Sequence, residues 1–342
     1  MPTESIDSIP FETLSDEIEE VRARVNRMRR ELRRYFVDKD ELIDLMTIAL
    51  AAQEPLLLVG PPGTAKSELV TKFTQALDVA GEDYFEYMLT QFTEPSELIG
   101  PIDIAELKEG RYLRKITGKL PSARVAFLDE IFKSNSAILN TLLTIINERK
   151  FYQDGRPQPV ALVMLFAATN RVPDFSELAA LRDRFVLKAL SKPVGEAAFD
   201  ELLICGTRND VDRALNRRPW QGLCELSDFL KLKRYLDCVF AGLGERQHRD
   251  PQEAIQRDRE NFFPKPVFEV FKRVLRTLVK EDDLFVSDRK LVKLYRLIRT
   301  RALLFHGGEV RKEDLVLLRY IGDRSDDLAP IAAKVDALLR VS

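Results

Sequence analysis

The strongest constraint on the fold of this chain is the stretch at residues 56–67, which reads Leu-Leu-Leu-Val-Gly-Pro-Pro-Gly-Thr-Ala-Lys-Ser. Four consecutive apolar residues predict a buried strand, and a loop of glycine and proline follows it. From Lys66 onward, apolar residues recur at helical spacing, which predicts a helix with one buried face. A strand, a glycine-containing loop, Lys-Ser and a helix form the layout of a phosphate-binding P-loop.

Each part of this loop has a predicted role in holding a nucleoside triphosphate. The backbone amides of the loop and of the helix start form an electropositive cradle for phosphate oxygens. Lys66 is expected to reach the β and γ phosphates, and the Ser67 hydroxyl to bind Mg²⁺. Ala65 departs from the general pattern, which has glycine before the lysine; a negative φ at the helix start would let alanine fit without strain. The predicted nucleotide-contacting residues here are Gly60, Pro61, Pro62, Gly63, Thr64, Ala65, Lys66, Ser67 and Glu68.

A second apolar run, residues 125–128, ends in two adjacent acids, Asp129 and Glu130. In an open α/β sheet, ligands bind at the carboxyl ends of the strands. Two neighbouring carboxylates there are costly unless a cation or a reaction uses them. Asp129 is expected to hold Mg²⁺, directly or through water, and Glu130 to polarise an attacking water. The alternative for Asp129 is a helix cap at the end of the strand.

Three further polar residues are candidates for contacts with the nucleotide. Asn170 follows an apolar strand and could touch the γ phosphate or the attacking water, with a turn asparagine as the alternative. Arg184 is a candidate arginine finger for a neighbour's nucleotide; Arg182 is the second choice, and an ion pair of Arg184 with Asp183 is the alternative. Arg289 lies in the first turn of a predicted helix, where a cation needs an anion, either a nucleotide phosphate or a local carboxylate.

Composition argues against several other classes of protein. The 342 residues are 45% hydrophobic and 32% charged, which indicates a folded chain long enough for two domains. The net charge of −2 supplies no overall field for nucleic acid or acidic lipid. Three cysteines without C-x-x-C spacing favour reduced thiols in a cytoplasmic protein, and the two histidines are too few for a histidine-based metal site. No apolar run approaches the ~18 residues of a membrane span, and the amino terminus lacks the pattern of a signal peptide.

Amphipathic helices are predicted on both sides of these motifs. Apolar residues at alternating four- and three-residue steps predict a helix over residues 14–35. Its apolar seam could pack on the same subunit or on a partner, and its arginines could bind nucleic acid. A second helix is predicted over 36–53. Phe36 and Val37 at its start are candidates for lining an adenine pocket, with ordinary core packing as the alternative.

Two hairpins and a helical carboxyl-terminal part complete the pattern. The hairpins are predicted at residues 102–116 and 151–163. Beyond residue 195 the sequence turns helical and highly charged. Residues 208–218 and 247–258 have little periodicity and are predicted to be loops.

These motifs together resemble the MoxR branch of the AAA+ ATPases over about residues 35–325, and within it the RavA (regulatory ATPase variant A) group. The stretch Gly-Pro-Pro-Gly-Thr-Ala-Lys-Ser has that family's alanine before the lysine. RavA-like proteins often have a further carboxyl-terminal region that binds a partner, and this chain is expected to lack it. The other segments that carry the resemblance are Pro-Ser-Glu-Leu-Ile-Gly-Pro (95–101), Gly-Arg-Tyr (110–112), Phe-Leu-Asp-Glu-Ile (127–131), Ala-Ile-Leu-Asn-Thr-Leu-Leu (137–143), Ile-Asn-Glu-Arg (146–149) and Ser-Asp-Arg (287–289).

The resemblance implies an α/β AAA+ P-loop NTPase fold, with a five-stranded parallel sheet followed by an all-α lid domain. Its motif names fall on Lys66 and Ser67 (Walker A), Asp129 and Glu130 (Walker B), Asn170 (sensor 1), Arg184 (arginine finger) and Arg289 (sensor 2, on its own or a neighbour's nucleotide). The expected domains are an amino-terminal helix (1–35), an ATPase core (36–195, with a helix-2 insert at about 100–120 and a pre-sensor hairpin at about 150–162), a helical connector (196–258) and a lid (259–342).

The resemblance also implies an activity and partners. Members of this branch hydrolyse ATP with Mg²⁺ in homohexameric rings and act as chaperone-like remodellers of protein complexes, typically with a protein that carries a von Willebrand factor A (VWA) domain. Two alternatives remain open from the sequence. One is an assembly scaffold gated by nucleotide, and the other is a nucleic-acid translocase, against which the near-zero net charge and the lack of a DNA-binding motif argue.

Overall fold

A parallel sheet with helices on both faces forms the amino-terminal part of the protein in the computed structural model, which describes residues 6–175, 178–243 and 251–341. The predictions for the first five residues and for residues 247–250 lie outside the described residues. The described residues form seven strands: β1 (Leu56–Val59), β2 (Tyr84–Met88), β3 (Val125–Asp129), β4 (Lys150–Gln153), β5 (Arg156–Pro159), β6 (Met164–Thr169) and β7 (Leu187–Leu190).

Five of these strands pair in parallel in the order β2-β3-β6-β1-β7. The predicted fold class, a five-stranded parallel sheet, is therefore confirmed. The other two strands, β4 and β5, form an antiparallel hairpin, as the sequence predicts for this region. Its turn residues Asp154 and Gly155 both have positive φ, at 52° and 70°, as a tight hairpin turn requires.

Helices cover both faces of the sheet and make up the carboxyl-terminal part. The described α-helices are α1 (Phe11–Arg33), α2 (Asp40–Ala52), α3 (Lys66–Ala76), α4 (Pro95–Ile99), α5 (Ile104–Lys108), α6 (Ser136–Glu148), α7 (Ala179–Arg182), α8 (Phe199–Ala214), α9 (Leu226–Phe240), α10 (Pro251–Phe262), α11 (Lys265–Glu281), α12 (Asp288–His306) and α13 (Ser325–Val341). A 3-10 helix, Lys312–Tyr320, joins α12 to α13. Among the described residues, no helix combines the length and apolar character that crossing a membrane requires.

Each face of the sheet has its own hydrophobic core because successive strand residues point to opposite sides. Leu56 and Leu58 of β1 belong to one buried cluster, together with residues of α1, α2, α3 and the carboxyl-terminal helices. Leu57 and Val59 belong to a second cluster with α4, α6 and α7. The central strands are buried on both sides, which explains their unbroken apolar sequences.

The apolar seam of α1 packs within the chain. Five of its six buried residues lie in the first cluster, and the helix packs against α2 and α9. The guanidinium of Arg24 also pairs with Asp228 of α9, at 2.6 Å between Nη2 and Oδ1. Of the three alternatives for this helix, packing on the same subunit is the one that the contacts support.

Two predicted loops are wrong because they are largely helical. Residues 208–214 belong to α8, whose buried residues are Cys205, Asn209 and Asp212, so its inward face carries a polar pattern. Residues 251–258 belong to α10. Asp258 of that helix is buried against Arg299 through an ion pair of 2.6 Å rather than through apolar contacts. Hydrophobic periodicity misses helices whose buried side is polar.

Two other predicted elements are shifted or replaced. The hairpin expected at 102–116 is reduced to a single bridge between Ile102 and Arg114. Between them lies the short helix α5, because the Asp103 carboxylate accepts a hydrogen bond from the amide of Ala105 at 2.9 Å and caps the helix. The helix predicted from residue 36 begins at Asp40, after Asp38 with a φ of 55° interrupts it.

Candidate functional site

The carboxyl ends of three neighbouring strands bring the main sequence motifs together. In the sheet β6 lies between β1 and β3, with Val59 beside Thr169 and Leu128 beside Ala167. The loop after β1, the acids after β3 and Asn170 after β6 therefore share one edge of the sheet. The amide of Gly60 also donates to the carbonyl of Thr169 at 3.1 Å, which ties the loop to β6.

The loop between β1 and α3 leaves a row of amide groups open. Within the described chain, the amides of residues 63–68 donate to no other protein group, although they lie at the amino end of α3. Such a row of free donors at a helix start is suited to bind phosphate. The loop is held from behind, since the Ser191 hydroxyl donates to the carbonyl of Thr64 at 2.8 Å. A Cβ atom on Gly60 would lie 2.2 Å from the carbonyl oxygen of Ser191, so only glycine fits there.

Lys66 is buried inside this loop. Its ammonium donates to the carbonyls of Gly60 at 2.6 Å and Pro61 at 3.0 Å. Burial lowers the pKa of Lys66, while the charges of Asp129 and Glu130 oppose that shift. The lysine is thus positioned between the cradle and the two acids. Ser67 follows in the first turn of α3 and is half-buried.

Ala65 adopts the left-handed conformation, with a φ of 62°. The negative φ that would let alanine fit here without strain is therefore not the conformation that the loop adopts. The loop must turn its amides inward before α3 begins, and it does so with positive φ at Gly63 and Ala65. Glycine would occupy the second of these positions without a steric penalty, whereas alanine carries a cost of ~1–2 kcal/mol.

Replacing Ala65 tests this strain. Ala65→Gly is expected to change the free energy of unfolding by less than ~1 kcal/mol, since relief of the strain is offset by the greater freedom of glycine in the unfolded chain. Ala65→Val is expected to cost more than ~1 kcal/mol because a β-branched residue resists positive φ. Urea unfolding of the two variants measures the difference. Equal stability of the valine variant and the native protein would show that the backbone at this position is not strained.

The two acids after β3 lie beside Asn170. Glu130 is 9% exposed and has a φ of 53°. Its Oε1 atom accepts a hydrogen bond of 2.5 Å from the side-chain amide of Asn170 and lies 3.4 Å from the ammonium of Lys133. One oxygen of Asp129 accepts from the amide of Glu130, the next residue, at 2.8 Å, and the short helix that follows has no side-chain cap. The negative charge of Asp129 also opposes the lowering of the Lys66 pKa.

Ser67 and Asp129 carry oxygen atoms of the kind that Mg²⁺ prefers as ligands. Magnesium sites in nucleotide-binding proteins use one or two side-chain oxygens, with water and phosphate completing the octahedron. Among the described residues, no group of three or more His, Cys, Asp or Glu side chains is arranged so that it could hold a metal ion. A sparse donor set next to a phosphate cradle fits Mg²⁺ held jointly with a nucleotide, rather than a metal held by protein alone.

Arg184 and Arg289 lie away from this edge. Because all five strands are parallel and Arg184 precedes β7, it sits at the amino-terminal edge of the sheet, opposite the loop. The pairing of Leu187 with Leu56 and of Leu190 with Val59 places a full strand between them, which is about 10 Å. Arg184 is therefore not brought together with Lys66.

The two arginines are brought together with each other. Burial lowers the pKa of Arg184, and the nearby charge of Arg289 lowers it further, although Asp183 opposes both. The Nη1 atom of Arg184 lies 3.1 Å from Asp183, so the predicted alternative, an ion pair, is present. Asp183 also accepts from Ser287 at 3.3 Å, which joins this corner to the start of α12.

The remaining groups around Arg184 and Arg289 have different environments. The Nε atom of Arg184 is buried and makes no hydrogen bond. Arg182, the second choice for the finger, donates to the carbonyl of Pro173 and to Asp174 within its own chain. Arg289 is exposed at the amino end of α12. Two cations lie next to each other here and the Asp183 carboxylate pairs with Arg184, so this region is able to bind a further anion.

Phe36 and Val37 are buried, at 8% and 5% exposure. The ring of Phe36 lies 5.5 Å from the ammonium of Lys72. Lys72 and Glu68 line a cleft of about 340 Å³ beside α3, whose opposite wall includes Asn209, Arg213 and Trp220. Hydrophobic periodicity does not predict this wall, because residues 208–214 of α8 turn polar side chains inward. A weak signal was present: the arginine cluster that ends beside Trp220.

A second cavity of about 490 Å³ lies between the start of α2, β7 and the carboxyl-terminal helices. Its lining includes Asp38, Leu42 and Pro193 from the core and Tyr320 and Leu328 from the carboxyl-terminal part. Neither cavity is lined by Phe36 or Val37 themselves. Their role in adenine binding stays a prediction.

Comparisons with known proteins identify the family. Residues 23–226 match the family model described as the MoxR domain in the MoxR-vWA-beta-propeller ternary systems, and residues 267–332 match an AAA lid domain. An uncharacterized protein of Methanocaldococcus jannaschii is 33% identical over 92% of this chain and 74% of its own length. Chaperone MoxR1 of Mycobacterium tuberculosis is 28% identical over 46% of this chain and 41% of its own length.

A solved structure supports the fold. A protein from Cytophaga hutchinsonii, provisionally named an ATPase, superposes with a TM-score of 0.66 and covers 96% of this chain and 97% of its own. At 16% sequence identity this likeness speaks for the fold alone. The MoxR model spans more than half of the chain and includes the loop, the acids, Asn170 and Arg184. The chain therefore belongs to the MoxR family of AAA+ ATPases.

Proposed function

We propose that this chain hydrolyses ATP with Mg²⁺ in a ring of its own copies and uses the cycle to remodel protein complexes. The observation that carries the proposal is the division of the charged groups between the two edges of the sheet. The cradle, Lys66, the acids and Asn170 lie at one edge, and Arg184 and Arg289 lie at the other. A copy that docks its arginine edge on the cradle edge of the next completes the site.

In the proposed site each residue of the cradle edge has a separate task. The amides of residues 63–68 and the ammonium of Lys66 bind the phosphates. Ser67 and Asp129 hold Mg²⁺, which withdraws charge from the phosphate oxygens when bound. Glu130 orients the attacking water and accepts its proton. Asn170 fixes the Glu130 carboxylate through their 2.5 Å hydrogen bond, so the base is already oriented.

The arginine edge supplies the remaining positive charge. Two like charges held next to each other gain from an anion placed between them. Arg184 cannot meet its own nucleotide across a strand length, and Arg289 is beside Arg184. We therefore assign both arginines to the nucleotide of a neighbouring copy, where they stabilise charge that develops on the γ phosphate.

The remodelling role and the partners rest on the family. The matching model is named for systems that combine a MoxR domain with a vWA domain and a beta-propeller, which supports a VWA-domain protein as partner. Relatives are named as chaperones. The RavA-like motifs, such as Ser-Asp-Arg at 287–289, support a place close to that group. A homohexameric ring is the proposed assembly.

Metal removal tests the proposed chemistry directly. The purified chain is expected to release phosphate from ATP in the presence of Mg²⁺ and to lose at least ~90% of that turnover in excess EDTA. Restoring Mg²⁺ should restore the rate. Turnover that persists in EDTA would contradict the assignment of Ser67 and Asp129 to the metal, and lack of any turnover under assembling conditions would contradict the proposed activity.

A further inference from the structure

Two buried lysines share one carboxylate directly beneath the arginine pair. Lys188 of β7 and Lys290 of α12 have side chains that are 0% and 1% exposed. One oxygen of Asp323, from the segment before α13, lies 3.3 Å from the ammonium of Lys188 and 2.9 Å from that of Lys290. The three residues come from three elements that are far apart in sequence, so the cluster joins the edge strand to the carboxyl-terminal helices.

Backbone carbonyls complete the coordination of both ammonium groups. Lys188 donates to the carbonyl of Phe185 at 2.9 Å, and Lys290 donates to that of Ile321 at 2.8 Å. The cluster nevertheless buries two positive charges against one negative charge, which is expensive. Burial and the charge of Lys290 lower the pKa of Lys188 to about 8. Burial alone would raise the pKa of Asp323, but the two lysines hold it below its ordinary value.

The position of the cluster relates it to the arginines. Lys290 follows Arg289 in α12, and the carbonyl that Lys188 binds belongs to Phe185, which follows Arg184. The Asp323 segment is also fixed from its other side. The amide of Val172 donates to the Ser325 hydroxyl at 2.7 Å, and that amide lies two residues beyond Asn170. The cluster is therefore anchored to the core and lies under the backbone that carries both arginines.

We propose that Lys188, Asp323 and Lys290 form a clamp that positions Arg184 and Arg289 as one unit toward the phosphate of a neighbouring copy's nucleotide. This inference rests on the proposed function of the two arginines. Without the clamp, like-charge repulsion would separate them and the start of α12 would shift relative to β7. The clamp residues touch no nucleotide themselves and act only through the arginines.

Asp323→Asn tests the clamp with almost no change in side-chain shape. Turnover of the assembled protein is expected to fall ~10- to 100-fold, because a shift of about 1 Å in a catalytic group has effects of this size. The dissociation constant for ATP should stay within about twofold, since the cradle edge is intact. In an Arg184→Ala background the same change should lower turnover by no more than about threefold further, because the two residues act together.

If Asp323 only stabilised the fold, its replacement would give the results expected for any other buried aspartate. Asp258→Asn is the matched control, since Asp258 is also a buried aspartate of the carboxyl-terminal part and pairs with Arg299. Asp258→Asn should lower the melting temperature but should not cause the selective loss of turnover. The two variants are compared at a temperature where both are folded. If Asp323→Asn does not fold, Lys188→Met replaces it, because it retains the aliphatic volume and leaves the Lys290–Asp323 pair. Turnover of the folded variant within twofold of the native value would overturn the clamp.

Hydrogen exchange tests the clamp independently of ATP hydrolysis. In the free protein, loss of the Asp323 carboxylate should speed exchange in peptides covering 183–187 and 285–291 together. A peptide covering 60–68 should be unchanged. If the native chain hydrolyses no ATP, the proposed function fails, while this exchange measurement still decides whether the clamp exists. Unchanged exchange in both arginine segments overturns it.

Discussion

Glu130→Gln is expected to reduce ATP turnover ~10²- to 10⁴-fold while leaving ATP binding intact, because the amide cannot accept a proton from the attacking water. The variant keeps the shape of the side chain and the left-handed backbone at this position. Its carbonyl oxygen still accepts the hydrogen bond from Asn170. Phosphate release under saturating ATP measures the first effect, and equilibrium binding of a fluorescent ATP analogue measures the second.

The matched control for this variant is Glu148→Gln. Glu148 is an exposed glutamate at the end of α6 that pairs only with Lys150 among its described ion pairs. Its change should leave turnover within about twofold. If Glu130→Gln leaves both turnover and partner release unchanged, hydrolysis is not the working step. The chain would then be an assembly scaffold gated by nucleotide binding.

The same variant gives access to partners and clients. A protein that binds ATP without hydrolysing it stays in the ATP-bound assembly, so proteins that bind this state should co-purify with it. A VWA-domain protein is the expected companion. Stimulation of native turnover by DNA, with binding that weakens steeply as salt rises, would instead favour the translocase alternative.

The parts of the site that sequence predicts are those set by local chemistry. The loop, Asp129, Glu130 and Asn170 each follow an apolar strand, and the parallel sheet collects the ends of those strands at one edge. The shared edge follows from this pattern with no knowledge of tertiary contacts, whereas the five-stranded sheet is what the family resemblance implies.

The parts that sequence could not predict depend on long-range packing or on backbone angles. Arg184 and Arg289 are far apart in sequence, and only the docking of α12 on the edge strand makes them neighbours. Lys188 and Lys290 are charged residues in buried positions, where a periodicity rule expects apolar ones. The positive φ of Ala65 has no signature in residue type, since alanine rarely adopts it.

Replacing either arginine of the pair by alanine is expected to remove most turnover, and for Arg184→Ala the loss should be ~10³-fold or more. In a mixed ring with Arg289→Ala or Arg184→Ala, a second inactive variant should restore part of the turnover. Lys66→Ala has a defective cradle but intact arginines, and Arg184→Ala has the reverse. Mixed before assembly in equal amounts, they form random rings in which roughly a quarter of the interfaces pair a good cradle with good arginines. Turnover should recover to about that fraction of the native rate.

The mixing experiment also decides where Arg289 acts. If Arg289 serves a neighbour's nucleotide, as its place beside Arg184 indicates, Arg289→Ala mixed with Lys66→Ala should recover in the same way. If it serves its own subunit's nucleotide, each site takes Lys66 and Arg289 from the same copy. Every site in the mixed ring then lacks one of the two residues, so no mixture recovers turnover. Arg182→Ala is the control, because that guanidinium is engaged by Pro173 and Asp174 of its own chain. If Lys66→Ala restores turnover when mixed with Arg184→Ala but not with Arg289→Ala, the two arginines act on different nucleotides. The proposal that both bind one anion between them would then have no support.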